Sequence, residues 1–475
     1  MKIAVLIGGS GYDSQKRLIN GILDSALLDG TEVYIFTCDA WSHGACHKHE
    51  KGEYNIYNLP DFTQYDGVIV SLNTIHDPET VDTLAQRLSK SGVPCISLNA
   101  KFDGAVCITM ENQLGTRAIA EHLIQVHGVR RIYYISGPAD NQAAQERLEV
   151  YRNVMDEYHL GWKEENIYYG DYTYQSGVKA AEYFLQSDIP LPDVIMAAND
   201  RMAIGAVRKL LSAGYIVPED IIVTGYDDSD MGSLNYPRIT TVRKGMYAAG
   251  EMAYRKLKKI WQKDGSVEDG IIYGKPIFSE SCGCERRNYY THAELQELYV
   301  DKQLEVDFNQ TLLKDSAAEF AGLEHFQDLM DSLKKYIKQI NPEYFYLCTN
   351  SDMESCFVET DWNHPATEPR RDTSAFPDDI CVPFAYERGE FRKYECFDKS
   401  LLLPPDCEKG TGANFYVVLP LHHQDNCFGY CVIGNYKQVI DGSLFQHFMM
   451  NLCIAMELVR KQGAVRELLQ KLNDG

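Results

Sequence analysis

The chain has 475 residues, 45% of them hydrophobic and 24% charged, with a formal net charge of −22. That length accommodates two or three domains with full cores, and a chain this acidic repels phosphate backbones at long range. Its densest basic runs, Arg130–Arg131, Arg255 to Lys259 and Arg370–Arg371, are too sparse for a groove-binding surface, so direct contact with nucleic acid is not expected. The opening MKIAVLIGGSGYD reads as a first strand and turn, not as a secretion signal. No run reaches the roughly 18 apolar residues a membrane span needs. The 14 cysteines form no short framework, although Cys282/Cys284 and Cys427/Cys431 are locally spaced. The expectation is a cytoplasmic protein with reduced thiols and no membrane association.

From the amino terminus to about residue 280, short apolar runs alternate with helical patterns. Strands are expected at Lys2–Ile7, Glu32–Thr37, Gly67–Val70, Pro94–Leu98, Ile132–Ser136, Ile195–Ala197 and Ile221–Thr224. Amphipathic stretches such as Leu114–Val126 and Met202–Ala213 separate them. This alternation specifies an α/β fold, parallel sheets flanked by helices, and so many units exceed one comfortable sheet. Two lobes are therefore expected. From Thr291 to Ile340 the pattern is helical and charged, with Leu295, Leu298, Leu304, Phe308 and Leu312 as apolar positions, and Pro342 stops it. Strand candidates then follow at Tyr344–Thr349, Cys356–Glu359, Ile380–Ala385, Asn414–Leu421 and Gly429–Asn435, the last two flanking HHQDN as in a hairpin. With a final helix from about Ser443 to Leu472 they make an α+β domain. That helix carries Ala455, Leu458, Gln462, Val465, Leu469 and Leu472 in the spacing of a short coiled-coil seam or of a helix packed on its own domain.

Ligands of open α/β sheets sit outside the carboxyl ends of the strands. Ser10, Tyr12 and Asp13 follow the first strand there, Asn199 and Asp200 follow Ile195–Ala197, and Tyr226 and Asp227 follow Ile221–Thr224. Fixed carboxylates, amides and a guanidinium suit a polyhydroxylated ligand, and tyrosines supply flat apolar walls. Hydrogen bonds to charged groups contribute roughly 1.5–3 kcal/mol each. Two or three of them, added to apolar contact, reach micromolar affinity, about −8 kcal/mol. Structural alternatives stand beside these readings. Asp200 can cap the following helix, Asp228 can be a solvated turn residue, Arg147 can pair with Glu146 or Glu149, and Asn199 and Asp227 can be turn residues.

The strongest signal is residues 196–245, where MAANDRMAIGA is followed by GYIVPED, VTGYDD and YPRITTV. Together with NQLGTRAIAEHLIQVHGVRRIYYISGP (112–138), Arg147 and Tyr151, this order resembles the effector-binding domain of the lactose/galactose-repressor (LacI/GalR) family. The resemblance covers roughly residues 1–285 and implies a two-lobed sensor of the periplasmic-binding-protein type I fold in residues 1–287. Lobe one would hold about 1–108 and 244–275, and lobe two about 109–243 and 276–287. It further implies ligand contacts from Tyr12, Asp13, Arg147, Tyr172, Asn199 and Asp227, a sugar-like small molecule as ligand, a homodimer, and neither cofactor nor catalysis. The first turn, GGSGYDSQ, departs from the family's Asn-Pro-aromatic pattern and leaves ligand identity open. Repressors of the family carry a helix-turn-helix of roughly 60 residues before the sensor. Here the first strand starts at Lys2, so the resemblance is to the sensor alone.

The Ser-Cys-Gly-Cys stretch at 281–284 resembles the boundary to a C-terminal output domain. Residues 288–341 would form a helical connector, 342–442 a domain resembling a GAF module, and 443–475 an exit helix. Ligand-induced lobe closure would then pass to the GAF-like domain and to a downstream signalling partner. The alternatives are a transcriptional regulator acting on DNA through a partner, and the sensory half of a diguanylate cyclase or histidine kinase. No metal site is expected. His43, Cys46, His47 and His49 in WSHGACHKHE lack a second ligand pair and read as a polar loop, Cys282/Cys284 as a boundary turn, and His422–His423 as a solvated hairpin loop. The absence of Gly-x-Ser-x-Gly, HExxH and P-loop motifs argues against an enzyme.

Overall fold

The opening run KIAVLI forms strand β1 (Lys2–Ile7), with five of its six residues buried, as a strand covered on both faces requires. It is followed by α1 (Asp13–Leu28), β2 (Glu32–Phe36), α2 (His47–Tyr54), β3 (Gly67–Ser71), α3 (Pro78–Ser91), β4 (Cys95–Leu98) and β5 (Ala105–Glu111). β1 pairs in parallel with β2 and β3, β3 with β4, and β4 with β5. The computed structural model describes residues 1–39, 47–263, 265–284, 291–350, 376–407, 413–441 and 444–473. His43, Cys46 and the candidate strand Cys356–Glu359 lie outside these. From His47 onward the expected polar loop is the helix α2. Two units are distinct: Met1–Ile108 with Ala249–Asp269 and Glu294–Gly475, and Thr109–Ala248 with Gly270–Ala293.

The second unit begins with α4 (Gln113–Val126) and β6 (Ile132–Ser136), then α5 (Gln142–Glu157), β7 (Ile167–Tyr169) and α6 (Tyr174–Gln186). β8 (Val194–Ala197), α7 (Asp200–Ser212), β9 (Ile222–Thr224), α8 (Asp230–Leu234) and β10 (Thr241–Arg243) complete its first segment. The sheet is parallel throughout, in the order β7-β6-β8-β9, as a strand-helix alternation demands. Ile132, Tyr134, Val194, Ile195 and Val223 of the strands pack with Leu123, Tyr151, Val154, Phe184, Met202 and Val207 of the helices in one core. Helix α9 (Met246–Gln262) leads into the first unit, and β11 (Gly270–Tyr273) and β12 (Lys275–Ile277) follow. β12 pairs antiparallel with β10. The three-residue strands β7, β10 and β12 are too short to show a period, and the sequence reading passes over them.

The carboxyl-terminal segment holds α10 (His292–Phe320), α11 (Phe326–Ile340), β13 (Tyr344–Asn350), β14 (Asp379–Glu387), β15 (Glu390–Arg392), β16 (Phe397–Asp398), β17 (Phe415–His423), β18 (Asn426–Gly434) and α12 (Leu444–Asn473). The single helical stretch expected over 291–340 is two helices. Glu319 near the end of α10 accepts from Ser332 at 2.6 Å, Lys335 at 2.7 Å and Tyr336 at 2.7 Å, so α11 folds back beside α10. No helix among the described residues is long and apolar enough to cross a membrane.

The larger departure concerns the carboxyl-terminal strands, which the sequence separates into a domain of their own. β17 pairs in parallel with β2, from Phe415↔Val33 to Val418↔Phe36, and the first unit's sheet continues as β5-β4-β3-β1-β2-β17-β18-β13-β14-β15. Tyr34 and Tyr416 stack across this join with ring centroids 4.9 Å apart. The pairing also carries the end of β17 onto α2. His422 is therefore not a solvated loop residue: its Nδ1 lies 2.6 Å from the Gln424 carbonyl and its Nε2 lies 3.1 Å from Glu53 Oε1. Burial works against charge on this imidazole, but the Glu53 carboxylate outweighs it and raises the His422 pKa. Burial likewise opposes the Glu53 carboxylate, and its hydrogen bond and attraction to His422 hold its pKa below the ordinary value. The expectation of wholly reduced thiols also needs correction. Cys381 on β14 and Cys396, folded back just before β16, form a disulfide, whereas the ten other described cysteines keep their thiols.

Candidate functional site

The carboxyl ends of β6, β8 and β9 converge on Arg147. Helix α5 places this side chain inward, 2% exposed, where Nη1 donates to the Ala198 carbonyl just past β8. Its guanidinium carbon lies 3.9 Å from the centroid of the Tyr226 ring. The local pairing with Glu146 or Glu149 does not form; Glu146 accepts instead from Asn112 at 3.0 Å and Gln142 at 2.9 Å. Burial opposes the charge, but Tyr226, Tyr172 and Asp227 around it hold the guanidinium above its usual pKa. Arg147 Nε and the hydroxyls of Tyr226 and Tyr134 are buried with no hydrogen-bond partner among the described residues. Each such group costs about 1–3 kcal/mol unless something satisfies it. Three in one place make this end of the sheet the candidate polar site.

Around this centre the backbone is unusual. Tyr172, Asp227 and Asp228 have φ of 66°, 117° and 54°, left-handed values that non-glycine residues seldom adopt. Such conformations cluster at functional sites. The Tyr172 ring lies over the end of β6 because Gly137 leaves room; a Cβ there would stand 2.3 Å from Tyr172 Cζ. Its hydroxyl donates to Asn141 Oδ1 at 3.1 Å. Asp227 Oδ1 lies 2.6 Å from Lys244 Nζ. Burial lowers the Lys244 pKa, and Asp227 works against that.

Three readings change. Asn199, not Asp200, caps α7: its Oδ1 accepts from Met202 N at 3.0 Å and its Nδ2 donates to the Tyr172 carbonyl at 3.0 Å. Asn199 thus supports the aromatic wall from behind. Asp200 is 1% exposed and spends both oxygens internally, on Thr241 Oγ1 at 2.6 Å and Ser229 N at 2.7 Å. It fastens the loop after β9 to β10. Burial, with repulsion from Asp227, pushes its pKa up to about 7. Asp228 is buried, not solvated, and accepts from Arg243 Nε at 2.6 Å. Of the residues singled out in this unit, Arg147, Tyr172, Tyr226 and Asp227 come together, and Lys244 and Tyr134 join them. Sequence reasoning missed both. Lys244 directly follows β10 and could have been found by the same carboxyl-end rule. Tyr134 sits inside the continuous apolar run of β6, where nothing marks it.

Ser10, Tyr12 and Asp13 belong to the first unit. Ser10 is fully buried and its Oγ has no partner among the described residues. Gly9, at φ 63°, turns the chain, and its N–H donates to the Cys38 carbonyl at 2.8 Å. The turn is closed by Gly8 N–H, which donates to Thr74 Oγ1 at 2.8 Å. Tyr12 precedes α1 in extended conformation, and Asp13 is the first residue of that helix.

Residues 120–281 match the family model described as Periplasmic binding protein-like domain. The chain is 31% identical over 252 residues to the ribose operon repressor of Escherichia coli (strain K12), a match covering 53% of this chain and 72% of that protein. The chain belongs to the LacI/GalR family through its effector-binding domain. It is also 37% identical over 177 residues to the HTH-type transcriptional regulator CelR of Thermobifida fusca, covering 36% of this chain and 52% of that protein. The chain thus spans about half the length of that LacI/GalR relative. A solved transcriptional regulator CelR-cellobiose complex matches at 26% identity and a TM-score of 0.49, covering 59% of this chain and 84% of that one. These LacI/GalR relatives are named as regulators and repressors, not as enzymes.

Proposed function

We propose that this chain senses a polyhydroxylated small molecule of the sugar class and uses its occupancy to regulate transcription. The observation that carries the ligand reading is Arg147: a buried guanidinium with an unspent Nε–H, stacked on Tyr226 beside two unspent hydroxyls. Arg147 would donate to adjacent ligand hydroxyls, Asp227 would accept from them, and Tyr172 and Tyr226 would cover the ring faces. The relatives' names support the class, since they include ribose and lactose operon repressors. The decisive test is mass spectrometry of small molecules retained by the native chain. The expected result is a sugar-class compound on the wild type and none on Arg147→Met; an identical profile for both would overturn the reading.

Two further parts of the reading concern output. Residues 342–442 act as the GAF-like relay, and the pairing of β17 with β2 supports this, because any shift of β2 is felt directly by the carboxyl-terminal strands. A homodimer fits the apolar residues exposed along α10 and α12, among them Leu298, Leu304, Phe308, Val465 and Leu469. Sedimentation showing only monomer at micromolar concentration would remove that part. The relatives' names also favour action on DNA, directly or through a partner; salt-dependent binding to promoter DNA in a gel shift tests it.

A further inference from the structure

Where α4 meets the turn after β12, the second unit gathers two histidines and two cysteines. His122 lies on α4 and His127 directly after it, and Cys282 and Cys284 flank Gly283. His122 Nε2 is 3.2 Å from Cys284 Sγ and 3.1 Å from His127 Nε2, and Cys284 Sγ is 3.4 Å from His127 Nε2. One donor atom from each of the four residues, Cys282 included, lies within 4.8 Å of all the others. In a tetrahedral zinc site with bonds of about 2.0–2.3 Å, neighbouring donors stand roughly 3.3–3.8 Å apart. The four atoms are thus already close to the separation that a single ion would impose. Their chemistry agrees: two thiolates and two imidazoles are the donor set of a structural zinc site, and soft sulfur disfavours calcium and magnesium.

The surroundings look fitted to the same end. Gly283, at φ 86°, turns the chain between the cysteines. His122 stacks on Phe278 with centroids 3.8 Å apart, which fixes its ring. The Cys282 thiol donates to the Ser279 carbonyl at 3.2 Å, a bond that ligation of the metal would replace.

We infer that His122, His127, Cys282 and Cys284 form a structural zinc site. The ion would fasten the last turn of the second unit to the end of α4, just ahead of the segment that leads to α10. The sequence alone concealed it, because 154 residues separate the nearer histidine from the first cysteine when the chain is read linearly (282 minus 128, counting the residues between).

The test uses the full chain, prepared without a histidine tag, stripped with chelator under reducing conditions and reloaded with zinc or cobalt(II). The expected result is about one tightly held zinc per chain and, with cobalt, tetrahedral visible bands together with near-ultraviolet thiolate-to-cobalt charge transfer. Cys282→Ser/Cys284→Ser should lose the charge transfer and the tight equivalent. The second cluster, His49, Glu53 and His422, carries no thiol and cannot produce that spectrum. Wild type that lacks charge transfer at saturating cobalt would overturn the inference, as would a double variant that keeps the wild-type spectrum. If the double variant fails to fold, the wild-type cobalt spectrum and the single variant His127→Ala decide the matter.

Discussion

The two sheets treat the carboxyl ends of their parallel strands differently. At the end of the second unit's sheet, three left-handed residues, Tyr172, Asp227 and Asp228, surround a buried arginine, and Arg147 Nε, the Tyr134 and Tyr226 hydroxyls and Thr224 Oγ1 are buried and unsatisfied. At the carboxyl ends of the first unit's parallel strands, Ser10 Oγ and Thr37 Oγ1 are buried and unsatisfied, and Gly9 and Asn99 take left-handed conformations. The first unit spends its polar groups elsewhere, at the join where β2 accepts β17 and Glu53 meets His422. In the proposed reading the residues around Arg147 in the second unit recognise the ligand, and the join of β2 to β17 in the first is scaffold.

Breaking the scaffold should have the largest effect. His422→Ala leaves the half-buried Glu53 only the Asp39 N–H and His49 as partners, and loss of the charged hydrogen bond costs up to about 3 kcal/mol. Thermal unfolding should show a drop of several degrees, with ligand affinity of the surviving folded protein unchanged. The pair also sets a pH window. The His422 pKa is raised above its ordinary 6.5, so its contribution is complete below 6.5 and fades as pH rises through the raised value. The Glu53 pKa lies below its ordinary 4.5, so its contribution is complete above 4.5 and fades as pH falls through the lowered value. The interval from 4.5 to 6.5 should therefore show the full benefit, and His422→Ala should lose that profile.

Changes at the second sheet's edge should do the reverse, altering binding more than stability. Arg147→Met should weaken ligand binding at least about 100-fold, or about 2.8 kcal/mol, with a melting temperature close to wild type. Gly137→Ala pushes into the Tyr172 ring and should weaken binding by about tenfold, or 1.4 kcal/mol; tyrosine fluorescence and calorimetry would read it. The smallest effect belongs to Asp200→Asn. With its pKa raised from 3.8 to about 7, Asp200 contributes most below 3.8 and progressively less as pH rises through about 7. The asparagine should flatten this slope in pH-dependent melting and leave ligand affinity within about threefold, less than 0.7 kcal/mol.

Much of the second unit is legible in sequence because its backbone demands particular residues. Asn199 caps a helix, Asp200 binds two elements at once and Gly225 lies against it, so AND and GYDD mark the turns before any coordinates are known. The roles within those motifs are less legible: Asn199 and Asp200 look alike as polar residues after a strand, and only burial and partners separate the cap and the fastener from the half-buried Asp227. The joining of β17 to β2 leaves no local trace, because parallel pairing of distant strands depends on exposed backbone and not on residue type. The Glu53–His422 pair depends on that join and was hidden with it. The break at 321–325 is hidden because no proline interrupts the helical pattern before Pro342, and the fold-back rests on Glu319 contacts made in space.

The central claim is that the carboxyl end of the second sheet binds a polyhydroxylated molecule through Arg147. Isothermal titration of the full chain against pentoses, hexoses and disaccharides, in parallel with Arg147→Met, tests it most directly. The account predicts saturable binding of at least one sugar at about micromolar Kd, near −8 kcal/mol, and its loss in the variant. No binding across the panel, or equal binding by both proteins, would contradict it.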